Sequence, residues 1–208
     1  RSAPVAVRAC RGALIGWAWA EDPASGGGKC TVHPLVLEGN DGTVNESQTR
    51  AVTEDHARAA LAAAGEDVAQ GTHGAGSGMK TFGYAGGIGS ASRRVPLPDG
   101  EAFGLGALVL SNFGQQEALR VMGRQLPPPG VGAGEADKGS IIILLASDAP
   151  LSSRQLSRIA RRSAAALGRL GSHIGHQRGD VAPALPTAAV DPTRRSGTGA
   201  PSGGAGRT

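Results

Sequence analysis

Aromatic side chains are scarce in this chain of 208 residues, with three Phe, two Trp and one Tyr making up 3% of it. So few rings exclude the stacking platform with which proteins hold single-stranded nucleic acid, and the core must be built from aliphatic side chains and alanine. Two cysteines are too few for the disulfide framework that staples small secreted domains. Free thiols suit a reducing compartment, so we expect a cytoplasmic protein.

An excess of charge is also lacking in the centre of the chain. The formal net charge of +4 resides in residues 1–30 and 191–208, which together hold seven basic and three acidic side chains. Residues 31–190 hold fourteen of each sign. A DNA-binding domain concentrates basic side chains on its folded part, so this distribution predicts no nucleic-acid partner. No apolar run reaches the ~20 residues of a membrane-spanning helix, and we expect no membrane partner.

Composition divides the chain into three parts. Residues 1–30 show neither helical nor strand periodicity and end near a run of glycines, and residues 183–208 are rich in Pro, Gly, Ser, Thr and Arg. We expect both ends to be loosely ordered. The chain is long enough for one domain with a substantial core, which we place at residues 31–182.

The central part mixes strand and helix patterns, which predicts an α/β or α+β layered domain. Thr53 is placed to cap one helix, and Ser152 or Ser153 to cap a second over about 153–168. The arginines of the second helix lie mostly away from its apolar stripe, as on a solvated face. Strands are expected at 32–37, 103–110 and 141–146, and the last, apolar throughout, is expected to be covered on both faces.

The dipeptide Gly139-Ser140 is the most informative feature that is present. A Pro/Gly-rich stretch, residues 126–138, runs without a spacer into the β-branched strand that begins at Ile141. A small hydroxyl residue at this junction suits an enzyme that cuts its own backbone there and exposes Ser140 as an N-terminal nucleophile. The freed α-amine would serve as the base that a lone serine lacks. The alternative is that Gly139-Ser140 is an ordinary end of a loop.

A glycine-dense segment, residues 71–93, must be compared with phosphate-binding loops. It fails the P-loop pattern because Met79 separates Gly78 from Lys80, and it lacks the third glycine of the dinucleotide fingerprint after Gly76. Glycines at this density let backbone approach backbone, or approach a small ligand, closely. The segment is therefore either the lining of a narrow active site or a structural loop.

Two polar residues are further candidates for the site. Asn112 follows a predicted strand, where a side-chain amide can donate to a developing oxyanion, although Asn also ends many strands as a turn former. Asp180 stands near the end of the structured region and can orient a base or a substrate amine, or can simply lie in a surface turn. His173 and His176 have the spacing of zinc ligands but no nearby companions, so we expect no metal site.

These pieces in this order resemble the DmpA-type peptidases, which are L-aminopeptidase/D-esterases and β-peptidyl aminopeptidases. The resemblance covers about 34–182. It is carried by the glycine segment and the Asn112 strand, by residues 139–151, by the arginine-rich helix, and by the turn that ends in Asp180. It implies an αββα four-layer sandwich, shared with ornithine acetyltransferases and similar to N-terminal-nucleophile hydrolases, here expected to be incomplete.

The resemblance also implies a function. The chain would cut itself between Gly139 and Ser140, and Ser140 would then attack an N-terminal residue's amide or ester while Asn112 stabilises the oxyanion. Glu38 matches an acid that meets the substrate's amino group, and Gly76 and Gly78 belong to the segment expected to line the substrate site. The expected partners are peptides or amino-acid amides, with no metal or organic cofactor, and a homo-oligomer, in the family a tetramer.

Several departures from the family's pattern leave an alternative open. Thr43 replaces a tyrosine of the family's active site, and Arg178 replaces a serine that assists the nucleophile. Arginine stays protonated and cannot act as a neutral hydroxyl relay. The chain is therefore either a self-processing serine aminopeptidase or a catalytically impaired relative that keeps the fold as a structural or binding protein. The acetyl-transferring relatives use a threonine nucleophile, which Ser140 disfavours.

Overall fold

The computed structural model describes residues 10–18, 33–42, 44–46, 49, 51–127, 139–175 and 179–188. The helices of this part are α1 (10–18), α2 (Glu54–Ala62), α3 (Ser153–Arg161) and α4 (Ser163–Arg169). Its strands are β1 (Lys80–Thr81), β2 (Tyr84–Ala85), β3 (Gly87–Pro96), β4 (Ala102–Asn112), β5 (Arg120–Val121), β6 (Arg124–Gln125), β7 (Ser140–Ser147) and β8 (Ala184–Pro186). The molecule is thus mixed α/β, as the sequence predicts.

A four-stranded sheet in the order β3-β4-β7-β8 is the centre of the described fold. β3, β4 and β7 pair antiparallel, and β8 joins β7 in parallel. The strands expected at 103–110 and 141–146 are confirmed as β4 and β7. Along β7 the side chains of Ile141 and Ile143 are buried while those of the residues between them are half-buried. The two faces of the sheet are therefore unequal.

Helices α3 and α4 cover the face that carries Ile141 and Ile143. Leu167 packs with these two residues and with the rings of Phe82 and Phe113, which meet edge to face with centroids 5.0 Å apart. Ser152 caps α3, because its side chain accepts from the Gln155 N–H. This cluster forms a buried apolar layer beneath the first residues of β7.

The helix expected over 153–168 divides at Arg162. The Ser163 hydroxyl donates to the Ala160 carbonyl at 2.6 Å, and the Arg162 N–H turns to the Ile159 carbonyl at 3.0 Å. A serine that bonds back to a carbonyl in the preceding turn competes with the regular helical ladder. The apolar stripe is continuous across this point, so periodicity alone does not reveal the break.

The strand expected at 32–37 is wrong for the part that is described. Residues 33–40 form no strand. Pro34 has no N–H for a ladder, and Gly39 and Asn40 lie over the sheet instead of pairing with it. A Cβ on Gly39 would lie 2.9 Å from the Met79 Cε and 3.4 Å from the Leu110 Cδ2. The segment therefore lies over the sheet face opposite to α3 and α4.

Both chain ends contribute structure where loose order was expected. Residues 10–18 are helical, and Gly12 approaches the Glu54 carboxylate so closely that a Cβ would lie 2.8 Å from its Oε1. Beyond residue 182, β8 pairs in parallel with β7 at Leu145, opposite Ala184. Neither element has a strong sequence pattern of its own, so sequence periodicity does not reveal it.

None of the described helices combines the length and the apolar character that a membrane crossing requires.

Candidate active site

Ser140 and Asn112 lie side by side although 27 residues separate them in the chain. Asn112 is the last residue of β4 and Ser140 the first of β7, and the two are direct partners in the antiparallel register. Side chains of directly opposed residues project from the same face, with Cβ atoms ~5 Å apart. The face is the one that the segment 33–40 crosses, so the pair lies at the end of the sheet, under that segment.

The carboxamide of Asn112 is held in one orientation by two backbone groups. Its Oδ1 accepts from the Lys80 N–H at 2.9 Å, and its Nδ2 donates to the Asn40 carbonyl at 2.8 Å. A flipped amide would oppose two donors at Lys80 and two acceptors at Asn40, so only the observed orientation is satisfied. The amide nitrogen carries two hydrogens, which leaves one that Asn40 does not take for an oxyanion.

Gly139, the residue before the candidate nucleophile, lies tightly against the end of β4. A Cβ at this position would collide with the Asn112 carbonyl oxygen and would lie 2.7 Å from the Phe113 Cα. Real Cβ atoms do not approach backbone so closely, so any other residue would displace the chain here. The Gly139-Ser140 peptide is thereby fixed next to the Asn112 side chain.

Gly179 and Asp180 contact Ser140 and Ile141 through hydrogen bonds. The Gly179 N–H donates to the Ser140 Oγ over a long 3.3 Å, and the Asp180 Oδ1 accepts from the Ile141 N–H, also at 3.3 Å. The next ladder bonds join Val181 to Ile141 and Ile143. The Asp180 carboxylate thus continues the β7–β8 ladder by one more bond and holds the backbone that follows the nucleophile.

Gly179→Ala is expected to slow the chemistry of Ser140 by up to about 10²-fold, because a displacement of ~1 Å at a reacting group can have that effect. A Cβ on Gly179 would lie 3.2 Å from the Ser140 Oγ, and either the hydroxyl or the turn must move. The rate of self-cleavage, followed by denaturing electrophoresis, measures this. Gly168→Ala serves as control, since a Cβ there meets no atom within 4 Å. Equal rates for both variants would contradict the placement of Gly179.

The residues expected to bind substrate, Glu38, Gly76 and Gly78, lie on two different segments. Glu38 is exposed. Gly76 is buried and packs on the carbonyl oxygen of Gly71 and, at 3.0 Å from a Cβ, on the Gly87 Cα, which is a backbone packing role. Gly78 has φ +80 and packs against the side chains of Asp41 and Asn45. Both glycines are thus in close contact with other parts of the chain.

Some sequence candidates lie outside the described residues, and some site residues had no sequence signal. Thr43, His176 and Arg178 belong to the undescribed positions. The Asn40 carbonyl and the Lys80 N–H, which fix Asn112, are backbone groups that a residue pattern does not reveal. Across the described ranges, no three or more His, Cys, Asp or Glu side chains converge as metal ligands.

Comparisons with known proteins identify the family of the chain. The profile of Peptidase family S58 matches residues 2–202. The chain belongs to this family, and the match is wider than the 34–182 covered by the motifs. The β-peptidyl aminopeptidase BapA of Sphingosinicella microcystinivorans is 38% identical over an alignment of 203 residues, and the match covers 88% of this chain and 49% of the relative. The expected resemblance is confirmed.

Two solved structures share the fold. The L-aminopeptidase D-Ala-esterase/amidase from Ochrobactrum anthropi, described as a variant of the Ntn-hydrolase fold, superposes with a TM-score of 0.77 at 33% identity, covering 91% of this chain and 53% of that one. A β-aminopeptidase from Burkholderia sp. has a TM-score of 0.74 at 32% identity, covering 98% and 57%. The predicted fold class, related to N-terminal-nucleophile hydrolases, is confirmed. The chain spans about half the length of the relatives it matches.

Proposed function

We propose that this chain is a self-processing serine aminopeptidase in which Ser140 is the nucleophile. One observation carries the proposal. The first residue of β7 is a serine that faces the oriented amide of Asn112, and the peptide bond before it is fixed against the end of β4 by Gly139. Nucleophile, oxyanion donor and scissile bond therefore meet at one end of the sheet.

Self-cleavage uses these groups in a balanced sequence. The Ser140 Oγ attacks the Gly139 carbonyl carbon, and the Asn112 Nδ2–H stabilises the oxyanion that forms. The bond from Gly139 carbon to Ser140 nitrogen then breaks, the nitrogen takes the proton from the hydroxyl, and an ester remains. Water hydrolyses that ester, which leaves a carboxylate on Gly139, a free hydroxyl and a free α-amine on Ser140.

Turnover repeats the same chemistry on a second molecule. The α-amine of Ser140 accepts the proton from its own Oγ, which attacks the carbonyl of the substrate's N-terminal residue, and the leaving amine or alcohol takes that proton. The acyl-enzyme is then hydrolysed by water. Asp180 holds the backbone at Ile141 and with it the position of Ser140. We assign Glu38 to the substrate's ammonium group.

The substrate class follows from the family. One relative is a β-peptidyl aminopeptidase, and one neighbour is an L-aminopeptidase with D-Ala-esterase/amidase activity. We therefore propose N-terminal residues of peptides, amides or esters as substrates, with no metal or organic cofactor.

A second candidate is a catalytically impaired relative that keeps the fold as a structural or binding protein. The substitutions at Thr43 and Arg178, both at positions that the family uses for catalysis, favour it. In this case the site would be assembled without being active.

Intact mass under denaturing conditions tests the first function against the second. We expect purified protein to yield two fragments, 1–139 and 140–208, because the Gly139-Ser140 bond lies beside its nucleophile. Amino-acid p-nitroanilides then test turnover. A single species that stays uncut on prolonged incubation refutes the self-processing peptidase, and cleavage without turnover supports the impaired relative.

A further inference from the structure

A turn that is described at residues 40–42, 44 and 45 carries one of the two groups that orient Asn112. It is closed by bonds within itself. The Asp41 carbonyl accepts from the N–H groups of Val44 and Asn45 at 2.9 and 3.0 Å, and the Asn40 Oδ1 accepts from the Gly42 N–H at 2.9 Å. The Asn45 Nδ2 donates to the Asp41 Oδ2 at 2.8 Å, which joins the two ends of the turn through their side chains.

The same two side chains dock the turn onto the glycine-dense segment. Gly78 lies beneath them, since a Cβ there would be 2.7 Å from the Asn45 Nδ2 and 3.3 Å from the Asp41 Cβ. Its φ of +80 lets the backbone approach this closely. Two residues further on, the Lys80 N–H donates to the Asn112 Oδ1.

The contact between the turn and Gly78 therefore joins the two segments that supply the partners of the Asn112 amide. On one side the turn presents the Asn40 carbonyl to the Nδ2, and on the other the Gly78 segment presents the Lys80 N–H to the Oδ1. The Asp41–Asn45 bond joins the two side chains that pack on Gly78, so it shapes the surface through which the two sides meet. Asp41 and Asn45 have no role in the mechanism given above; Asp41 is half-buried and Asn45 is exposed.

We propose that Asn45, bonded to Asp41, is a positioning residue that holds the Asn112 amide in its oxyanion-stabilising orientation. The inference rests on the proposed function, since it assigns a role within the same site. The pair acts on the transition state through Asn112, so its loss lowers kcat and leaves KM nearly unchanged. A bond that served only the fold would alter thermal stability without that selective effect on kcat.

The test first places two carboxylates in the pair and then exchanges the two groups. Asn45→Asp has nearly the same shape but places two carboxylates together where the 2.8 Å bond was. It is expected to lower kcat for amino-acid p-nitroanilides, and the rate of self-cleavage, by about 10- to 100-fold, in line with a displacement of up to ~1 Å. The double variant Asp41→Asn/Asn45→Asp restores a donor facing an acceptor and is expected to recover most of both rates. With the Asp41→Asn single variant the set forms a double-mutant cycle, from which the coupling between the two sites is calculated.

Thr49→Ala is the matched control. Its hydroxyl donates to the Glu46 carbonyl at 2.9 Å and not to Asp41 or Asn45, and we expect kcat to be unchanged. Wild-type rates in Asn45→Asp, or a double variant as slow as the single one, would overturn the positioning role while leaving the peptidase intact. A wild-type chain that neither cuts itself nor turns over substrate would overturn the proposed function and this role together.

Discussion

Ser140→Ala is expected to leave the chain uncut and to reduce turnover of amino-acid p-nitroanilides to background, a loss of at least about 10⁴-fold. Without the hydroxyl there is nothing to attack the Gly139 carbonyl, so no α-amine is released and the base of the second reaction is missing too. One substitution thus removes both the nucleophile and its activator, which explains why this is the largest expected effect. Denaturing electrophoresis and a p-nitroaniline assay measure the two losses separately.

Ser157→Ala is a suitable control for this result. Ser157 is an exposed serine of α3 whose hydroxyl donates to the Ser153 carbonyl at 2.8 Å, on the helical layer behind the sheet. Its loss is expected to leave both processing and turnover unchanged. Persistent cleavage between residues 139 and 140 in Ser140→Ala would show that another protease makes the cut.

Asn112→Ala is expected to lower kcat and the rate of self-cleavage by about 10²–10³-fold, the usual effect of removing one oxyanion donor. The loss should fall mainly on kcat, because the amide is used when negative charge develops on the carbonyl oxygen. Asn112→Asp is the sharper variant. It still offers an acceptor to the Lys80 N–H, but it opposes a second oxygen to the Asn40 carbonyl and has no hydrogen to donate.

Asn112→Asp should therefore be at least as slow as Asn112→Ala despite its closer shape. Gln125→Ala provides the control, since this side-chain amide of β6 donates to the Glu117 carbonyl at 2.7 Å and has no part in the site. If Asn112→Asp kept wild-type rates, the donor would have to be sought elsewhere, and the Gly179 N–H beside the Ser140 Oγ would be the first alternative to examine.

The parts of the fold that the sequence predicts well are those whose pattern is local. β7 is apolar at almost every position and β4 contains the apolar run 107–110, so both are visible without tertiary information. β8 contains only three residues and ends in Pro186, and it exists because β7 offers it a ladder. The break at Arg162 coincides with the bond of the Ser163 hydroxyl to the Ala160 carbonyl, which the apolar stripe does not reveal. Residues 33–37 form no strand although their apolar pattern predicts one.

In the candidate site, too, some residues have a local sequence signal and others do not. Ser140 stands out because a loop meets a strand there, and Asn112 because it ends one. That these two face each other is a matter of register, which neither segment specifies alone. The Asn40 carbonyl and the Lys80 N–H are backbone groups, identical in every residue, so only the folded chain shows which of them is used.

If the proposed cleavage takes place, the ladder between β4 and β7 holds its two products together. It comprises eight residue pairs, from Leu105 opposite Ser147 to Asn112 opposite Ser140, and β4 belongs to fragment 1–139 while β7 belongs to fragment 140–208. Cutting at residue 139 removes no bond of this ladder and leaves Phe82 and Phe113 packed on Ile141. The mature protein would thus be a non-covalent heterodimer, whose halves separate only when the sheet itself is unfolded.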